Sequence, residues 1–254
     1  MDSSTVSRYL DRIGAHRPSV ADAATLRELH RRHVEAVPFE NLSIHLGEPI
    51  VLTEDALADK IVRRGRGGIC YELNGLFAAL LTALGYEVKL LAVSVFVEDG
   101  ALSPAFAHLT LLVELDERYL VDVGFGAHSV YPLRMDWPEA QEDPAGSFLV
   151  VDAPGGDVDV RRDGVPQYRA ELRPRRLTDF ARPCWWHENA PVSGFRKVAR
   201  CSRRTDDGRV TIIGDRLLET VGGERTETTL ATDAEVLAAY EKHFGIQLPR
   251  VPTC

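Results

Sequence analysis

An apolar segment that follows a glycine-rich stretch constrains the fold of this 254-residue chain most strongly. Residues 70–84 place leucine, phenylalanine or alanine on nearly every side of a helix, and a glycine follows them. Because a helix that is apolar all round has to be buried, this segment predicts a helix at the centre of a core. Residues 65–68 predict a loop, so the helix begins at Ile69 or Cys70.

Cys70 therefore stands at the positive end of a helix dipole, where the thiolate form of a cysteine is favoured. The thiolate is the form that acts as a nucleophile. An inert core cysteine is the simpler alternative, because free cysteine is among the most buried residue types. A nucleophile also needs a base, and that base has to come from elsewhere in the chain.

The periodicity of apolar residues changes after this central helix. Before it, helical spacing predicts amphipathic helices over residues 4–14 and 53–64, and a further one over 19–36 with Ser19 as its N-cap. After it, β-branched residues alternate up to about residue 173, which predicts an antiparallel sheet or small barrel. The remainder mixes short strands with a final helix that begins near Thr232.

Composition narrows the classes of function. The net charge of −8 argues against a nucleic-acid-binding protein. Residues 161–216 nevertheless carry 14 Lys or Arg against 7 Asp or Glu. This excess predicts either a solvated basic face or a surface for an anionic ligand, such as the phosphates of a coenzyme.

The cysteines, the N-terminus and the hydropathy of the chain add four negative expectations. The four cysteines, Cys70, Cys184, Cys201 and Cys254, form no CxxC pair, so neither a disulfide framework nor a metal site is expected. The N-terminus lacks the pattern of a signal peptide. The most apolar stretch is too interrupted to span a bilayer. We therefore expect a cytoplasmic protein with no membrane partner.

Two polar residues lie inside otherwise apolar strands. His108 interrupts an apolar strand, although a histidine bonded to backbone would also fit there. Asp122 lies between two valines, where a buried carboxylate is costly unless it is hydrogen-bonded. An imidazole N–H bonded to Asp122 would leave the other ring nitrogen facing a thiol. The order Cys70, His108, Asp122 thus supplies a nucleophile, a base and an orienting carboxylate.

The register of the two strands decides whether His108 and Asp122 can meet. A two-residue loop at residues 116–117 would place them on opposite faces, because side chains alternate along a strand. A loop of odd length, or a β-bulge, would place them on the same face. We therefore predict such an irregularity between Ala107 and Gly124.

Four motifs resemble those of the arylamine N-acetyltransferases. They are the segments PFENL at residues 38–42, RGGICYE at 66–72 and DVGFG at 122–126, together with the strand histidine His108. Their order and spacing match along roughly the first half of the chain. The second half matches more weakly, at residues 191–195 and 244–246.

The resemblance implies a fold and a mechanism. It implies an α+β fold with a cysteine-protease-like triad arrangement, in which a helical bundle (1–85) carries the nucleophile. A central antiparallel β-barrel (86–185) would carry histidine and aspartate, and a C-terminal α/β lid (186–254) would follow. Cys70, His108 and Asp122 would form the catalytic triad. Acetyl-CoA, a co-substrate and not a permanently bound cofactor, would acylate Cys70, and an arylamine, hydrazine or arylhydroxylamine would then take the acetyl group in a ping-pong cycle.

The substrate pocket is expected around the same motifs. Gly124, Phe125 and Gly126 read most simply as a turn, but they would also put bare backbone and one aromatic ring beside the thiol. By the resemblance, Phe39 and Phe125 line the acceptor pocket. It also implies that Arg66 pairs with Glu40 near Asn41 and so supports the cysteine loop; a weak surface ion pair is the alternative.

Other functions remain compatible with the same triad. Ile69 stands where the family often has an aromatic residue, and the chain is somewhat short for the family. Short relatives include the amide synthases that close ansamycin macrolactams, which take a polyketide from an acyl carrier protein. A non-catalytic binding homologue and a papain-like hydrolase are the further alternatives.

Overall fold

The computed structural model describes residues 1–253. Its first part is helical, with one two-residue strand, β1 (Phe39–Glu40). A π-helical turn, Asp59–Arg63, continues the fourth helix. The helices are α1 (Ser3–Arg12), α2 (Ala23–Ala36), α3 (Leu42–Leu46), α4 (Glu54–Ala58) and α5 (Cys70–Ala83).

Helix α2 begins later than its sequence suggests. The prediction that Ser19 is the N-cap is wrong: Asp22 caps the helix, and its side chain accepts a hydrogen bond from the backbone N–H of Thr25 at 2.8 Å. Aspartate caps a helix as well as serine does, and Asp22 has extended backbone angles that end the preceding segment. The helix ends at Ala36, where Pro38 disfavours a helical conformation of Val37.

Helix α5 lies at the centre of the largest core, as its all-round apolar sequence predicts. Leu76, Phe77 and Leu80 are fully buried, and they belong to one cluster with residues of α1, α2 and the barrel strands. Burying a leucine or phenylalanine contributes about 1.5–3 kcal/mol each. The core therefore fixes the position and direction of the helix that begins at Cys70.

The middle of the chain forms an eight-stranded antiparallel sheet that is nearly closed into a barrel. The strand order is β5-β4-β3-β2-β9-β8-β7-β6. Its two edge strands are joined through the Gln141 side-chain amide, which accepts from and donates to the backbone of Arg134 at 2.8 and 2.9 Å. The strands are β2 (Glu87–Val95), β3 (His108–Glu114), β4 (Arg118–Val121), β5 (Leu133–Arg134), β6 (Gln141–Asp143), β7 (Gly146–Asp152), β8 (Val158–Arg162) and β9 (Val165–Arg175).

The turn between β3 and β4 has the odd length that the sequence argument requires. Glu114 pairs with Arg118, so the loop contains three residues. Continuing this register past the end of β4 places Asp122 opposite Thr110, two residues from His108. Both side chains therefore belong to the same face of the barrel.

The last part of the chain forms a second antiparallel sheet, backed by a helix. The strand order is β1-β10-β11-β12-β13, so the short strand of the helical part pairs with the C-terminal sheet. One face of this sheet packs against the last helix. The elements are α6 (Ala181–Asn189), β10 (Arg200–Thr205), β11 (Gly208–Ile213), β12 (Arg216–Val221), β13 (Glu224–Thr229) and α7 (Asp233–Phe244).

The architecture confirms the α+β prediction, with a helical part, a barrel-like sheet and an α/β lid. The domain boundaries after residues 85 and 185 stay a prediction. Between residues 1 and 253, every helix is too short or too polar to cross a membrane. Cys254 lies outside the described residues.

Candidate active site

Cys70 is the first residue of α5, and Ile69 is the N-cap of that helix. Its side chain is almost fully buried, yet it lines a cavity. The predicted position at a helix N-terminus is therefore confirmed. The adjacent cavity makes the thiol accessible to a ligand, which an inert core cysteine would not be.

His108 connects this thiol to Asp122. The Nε2 atom of His108 lies 2.6 Å from Oδ2 of Asp122, and both side chains are buried. The Cys70 thiol lies close enough to His108 to raise the pKa of its ring. Because Nε2 is bonded to the carboxylate, Nδ1 is the ring nitrogen left for the thiol.

The charges of these groups determine their protonation. Burial alone would lower the pKa of His108, but the charges of Asp122 and Cys70 outweigh burial and hold that pKa well above its usual value. Burial would likewise raise the pKa of Asp122, but the His108 charge and hydrogen bond keep it below its usual value. At neutral pH the stable pair is therefore imidazolium and carboxylate.

Asn74 holds the carboxylate in place, and sequence reasoning missed it. Its Nδ2 donates to Oδ1 of Asp122 at 2.9 Å, and its Oδ1 accepts from the backbone N–H of Val123 at 2.9 Å. The N–H of Gly124 also donates to Oδ1 of Asp122 at 3.0 Å. Asn74 lies four residues after Cys70 on the same helix face, and this spacing is the signal that could have revealed it.

His30 also contacts this network, although its polar sequence surroundings gave no reason to expect it. It is fully buried on α2, and its Nδ1 donates to the carbonyl of Val130 at 2.8 Å. Its Nε2 accepts from the backbone N–H of Asp122 at 3.3 Å. Burial lowers the pKa of His30, so the ring stays neutral and Nε2 remains an acceptor.

The loop after Asp122 passes directly over the cysteine. A Cβ atom on Gly124 would lie 2.8 Å from Cα of Cys70, so only glycine fits this approach. Gly126 has φ of 92°, which also favours glycine. Between them, the Phe125 ring meets the His108 ring edge-on at 5.0 Å. All three residues of the loop line the cavity. That they contact a substrate stays a prediction.

Aromatic rings form the other side of the cavity, which has a volume of about 630 Å³. The rings of Phe39 and Phe195 lie 6.1 Å apart, and Phe195 lies 4.9 Å from His187. The predicted pocket residues Phe39 and Phe125 therefore lie in one cavity with Cys70. Phe195 and His187 were not predicted, because they belong to the lid, far away in sequence.

The loop before Cys70 is held by a cluster of buried charges. Arg66 Nε lies 3.1 Å from Oε1 of Glu40, and both side chains are buried, so this pair is not a surface ion pair. In the same cluster, Lys60 Nζ binds both carboxylate oxygens of Glu72 at 2.8 and 2.9 Å. Oε2 of Glu72 accepts from the backbone N–H of Ile69 at 3.0 Å, immediately before Cys70.

Asn41 connects this region to the lid. Its Nδ2 donates to the carbonyls of Phe195 and Val198 at 2.8 and 3.0 Å, and its Oδ1 accepts from the N–H of Arg200 at 2.6 Å. Asn41 also lines the cavity. It therefore positions the segment that carries Phe195, in addition to lying beside the Arg66–Glu40 pair.

Comparison with known proteins identifies the family. A family model described as N-acetyltransferase matches residues 22–252. The arylamine N-acetyltransferase of Mycolicibacterium smegmatis is 35% identical over 94% of this chain and 91% of its own length. The solved structure of the Salmonella typhimurium arylamine N-acetyltransferase superposes with a TM-score of 0.90 at 29% identity, covering 97% of this chain and 92% of that one.

A second solved structure is that of the Mycobacterium marinum arylamine N-acetyltransferase in complex with CoA. It superposes with a TM-score of 0.86 at 32% identity and covers 95% of this chain and 92% of that one. Together with the sequence match over nearly the whole length, these findings show that the chain belongs to the arylamine N-acetyltransferase family of acyltransferases.

Proposed function

We propose that this protein transfers an acetyl group from acetyl-CoA to an arylamine through a thioester on Cys70. The observation that supports the proposal best is the buried alignment of Cys70, His108 and Asp122 beside a cavity. These three residues act as nucleophile, general acid–base and orienting carboxylate.

In the first half-reaction, the Cys70 thiolate attacks the thioester carbonyl of acetyl-CoA. The new C–S bond forms as the bond to the CoA sulfur breaks, and His108 gives its Nδ1 proton to the departing thiolate. The products are acetyl-Cys70, neutral His108 and free CoA. Asp122 keeps the ring in the orientation that leaves Nδ1 facing the sulfur.

In the second half-reaction, the acceptor amine attacks the acetyl carbonyl. The N–C bond forms, the C–S bond to Cys70 breaks, and neutral His108 takes the proton from the amine nitrogen. This step restores the thiolate and the imidazolium and releases the N-acetylated arylamine. Each substrate therefore reacts separately with the enzyme, which is a ping-pong cycle.

The aromatic wall of the cavity supports a flat acceptor. Phe39, Phe125 and Phe195 offer ring faces and edges to an arylamine, a hydrazine on an aromatic ring or an arylhydroxylamine. The relatives named above are arylamine N-acetyltransferases, and one is solved in complex with CoA. Neither finding supports the alternative in which an acyl carrier protein delivers a polyketide for macrolactam formation.

Steady-state kinetics test this proposal. With acetyl-CoA and an aniline acceptor, we expect parallel double-reciprocal lines, and Cys70→Ala should lose all transfer. Cys184→Ala is the matched control, because Cys184 is also a buried thiol but does not line the cavity, and it should remain active. Turnover by Cys70→Ala would refute the thioester mechanism. Activity only with a long-chain acyl thioester would favour the amide-synthase alternative.

A further inference from the structure

The lid sheet has two chemically different faces. Val210, Ile212 and Leu217 point to one side and pack against Tyr240 and Phe244 of α7. The side chains that alternate with them point to the opposite side. Most of that second face lines the cavity that contains Cys70. Six of its cavity-lining residues are charged or carry a hydroxyl group: Arg200, Ser202, Arg209, Thr211, Thr220 and Arg225. The other two are Ile213 and Leu218.

Three arginines lie in one row across this second face. Arg204 on β10 pairs with Arg209 on β11, Arg209 pairs with Thr220 on β12, and Thr220 pairs with Arg225 on β13. Directly opposite residues of antiparallel strands share a face. With strands about 4.8 Å apart, the row extends over roughly 14 Å. We call these three residues the arginine row.

The charge of the arginine row is not compensated by the protein. Among residues 1–253, no carboxylate oxygen lies within 4.0 Å of Arg204, Arg209 or Arg225, whereas Arg216 on the same sheet pairs with Glu227 at 3.2 Å. Arg209 donates only to neutral acceptors, the Ser202 hydroxyl and the Gly126 carbonyl, each at 3.0 Å.

Arg209 shows the cost of this arrangement. Its burial, followed by the charges of Arg204 and Arg162, lowers its pKa to about 10. Like charges on directly opposite strand positions are destabilising, so a protein gains nothing in stability from such a row. An anionic ligand bound beside these arginines would be attracted to each of them and would offset their mutual repulsion.

We propose that the arginine row binds the phosphates of the acyl donor, and that this protein therefore selects a phosphate-bearing thioester over a short one. This inference rests on the proposed function, because Arg209 and Arg225 line the cavity that contains Cys70. Arg204 extends the row beside Arg209. Several cations in line suit a ligand with several phosphates along its length, whereas a single carboxylate needs only one arginine. Guanidinium groups bind phosphate oxygens in pairs.

Two variants of the arginine row separate an effect on phosphate binding from an effect on folding. Arg204 and Arg225 have no hydrogen bond or ion pair with other side chains of residues 1–253, so Arg204→Gln and Arg225→Gln remove charge without removing a structural contact. Arg216→Gln is the control, since it removes the same charge from the same sheet outside the row, together with one exposed ion pair to Glu227. Equal melting temperatures of the three variants would establish that each is folded.

The assay compares two donors, acetyl-CoA and S-acetyl-N-acetylcysteamine, which carries no phosphate. We expect each row variant to raise KM for acetyl-CoA by roughly fivefold or more, and the double variant by more again. The effect on KM for the phosphate-free donor should be several times smaller. The acetyl-CoA effect should shrink as salt is added, because screening weakens the interaction in the parent protein. Arg216→Gln should behave as the parent protein with both donors.

Three results would contradict the inference. Equal effects on both donors, or no effect on either, would show that the row does not bind phosphate while leaving the proposed activity intact. A raised KM for a carboxylated arylamine, with acetyl-CoA unaffected, would assign the row to the acceptor instead. A parent protein that transfers acetyl from neither donor would refute the proposed function, and with it this inference.

Discussion

The Asp122→Asn substitution tests how the carboxylate controls His108. The substitution keeps the shape of the side chain but removes its charge from a 2.6 Å contact between two buried groups. Breaking one side of a buried ion pair costs about 3–5 kcal/mol. If all of this free energy is lost from the stabilisation of the protonated His108 ring during the reaction, acetyl transfer slows by roughly two to four orders of magnitude.

The pH dependence of Cys70 alkylation measures this effect without any substrate. In the parent protein, the raised pKa of His108 keeps the ring protonated beside the thiol, so the rate of reaction with iodoacetamide should change less between about pH 6 and 8 than it does in the variant. In Asp122→Asn, the charge that opposes burial most strongly is removed, so the pKa of His108 falls. The reaction should then be slower at neutral pH and should accelerate as the pH rises.

The raised pKa of His108 should also make the free energy of unfolding depend on pH. A raised histidine pKa stabilises the folded protein below the ordinary value of 6.5, and this contribution is lost as the pH rises through the folded value. The parent protein should therefore lose unfolding free energy above about pH 6.5, and the variant should lose less. Asp116→Asn, in the exposed loop between β3 and β4, is the control. Identical alkylation profiles in Asp122→Asn and the parent would refute this account of the site.

Three further substitutions test the supports of the site. Asn74→Ala removes the amide that donates to the triad carboxylate, so kcat should fall by roughly tenfold or more while the secondary structure seen by circular dichroism is unchanged. Gly124→Ala places a methyl group 2.8 Å from Cα of Cys70 and should reduce both acetyl transfer and alkylation; parent-like rates would contradict the close approach. Lys60→Met leaves Glu72 buried without its cation and should destabilise the fold by about 3–5 kcal/mol in urea unfolding, whereas an unchanged midpoint would refute the role of the charge cluster.

The proximity of Cys70, His108 and Asp122 could be predicted because each of them is locally anomalous. His108 and Asp122 are polar residues inside apolar strands, and Cys70 follows a glycine-rich loop at a helix start. Whether the loop between β3 and β4 has an odd or an even number of residues then decides if His108 and Asp122 can meet. The structure has a three-residue loop, which is the odd length that the argument requires. Local pattern and register were sufficient here.

The contacts of the supporting residues could not be predicted in the same way, because their partners are far away in sequence. His30 contacts the backbone of Asp122, and Asn41 contacts residue 195 and its neighbours in the lid. Residues 38–42 belong to the motifs named above, but neither segment indicates these contacts when it is read alone. The arginine row was visible in the sequence only as an excess of positive charge between residues 161 and 216. Its geometry depends on the register of four strands, which the sequence pattern does not determine.

The central claim is that Cys70 carries the acetyl group, and intact-protein mass spectrometry tests it most directly. After mixing with acetyl-CoA and removing excess donor, the protein should gain the mass of one acetyl group, and peptide mapping should locate it on Cys70. Adding an arylamine should remove this mass and release an equal amount of N-acetylated product. An unmodified Cys70, or an acetyl group that the amine does not remove, would contradict the mechanism.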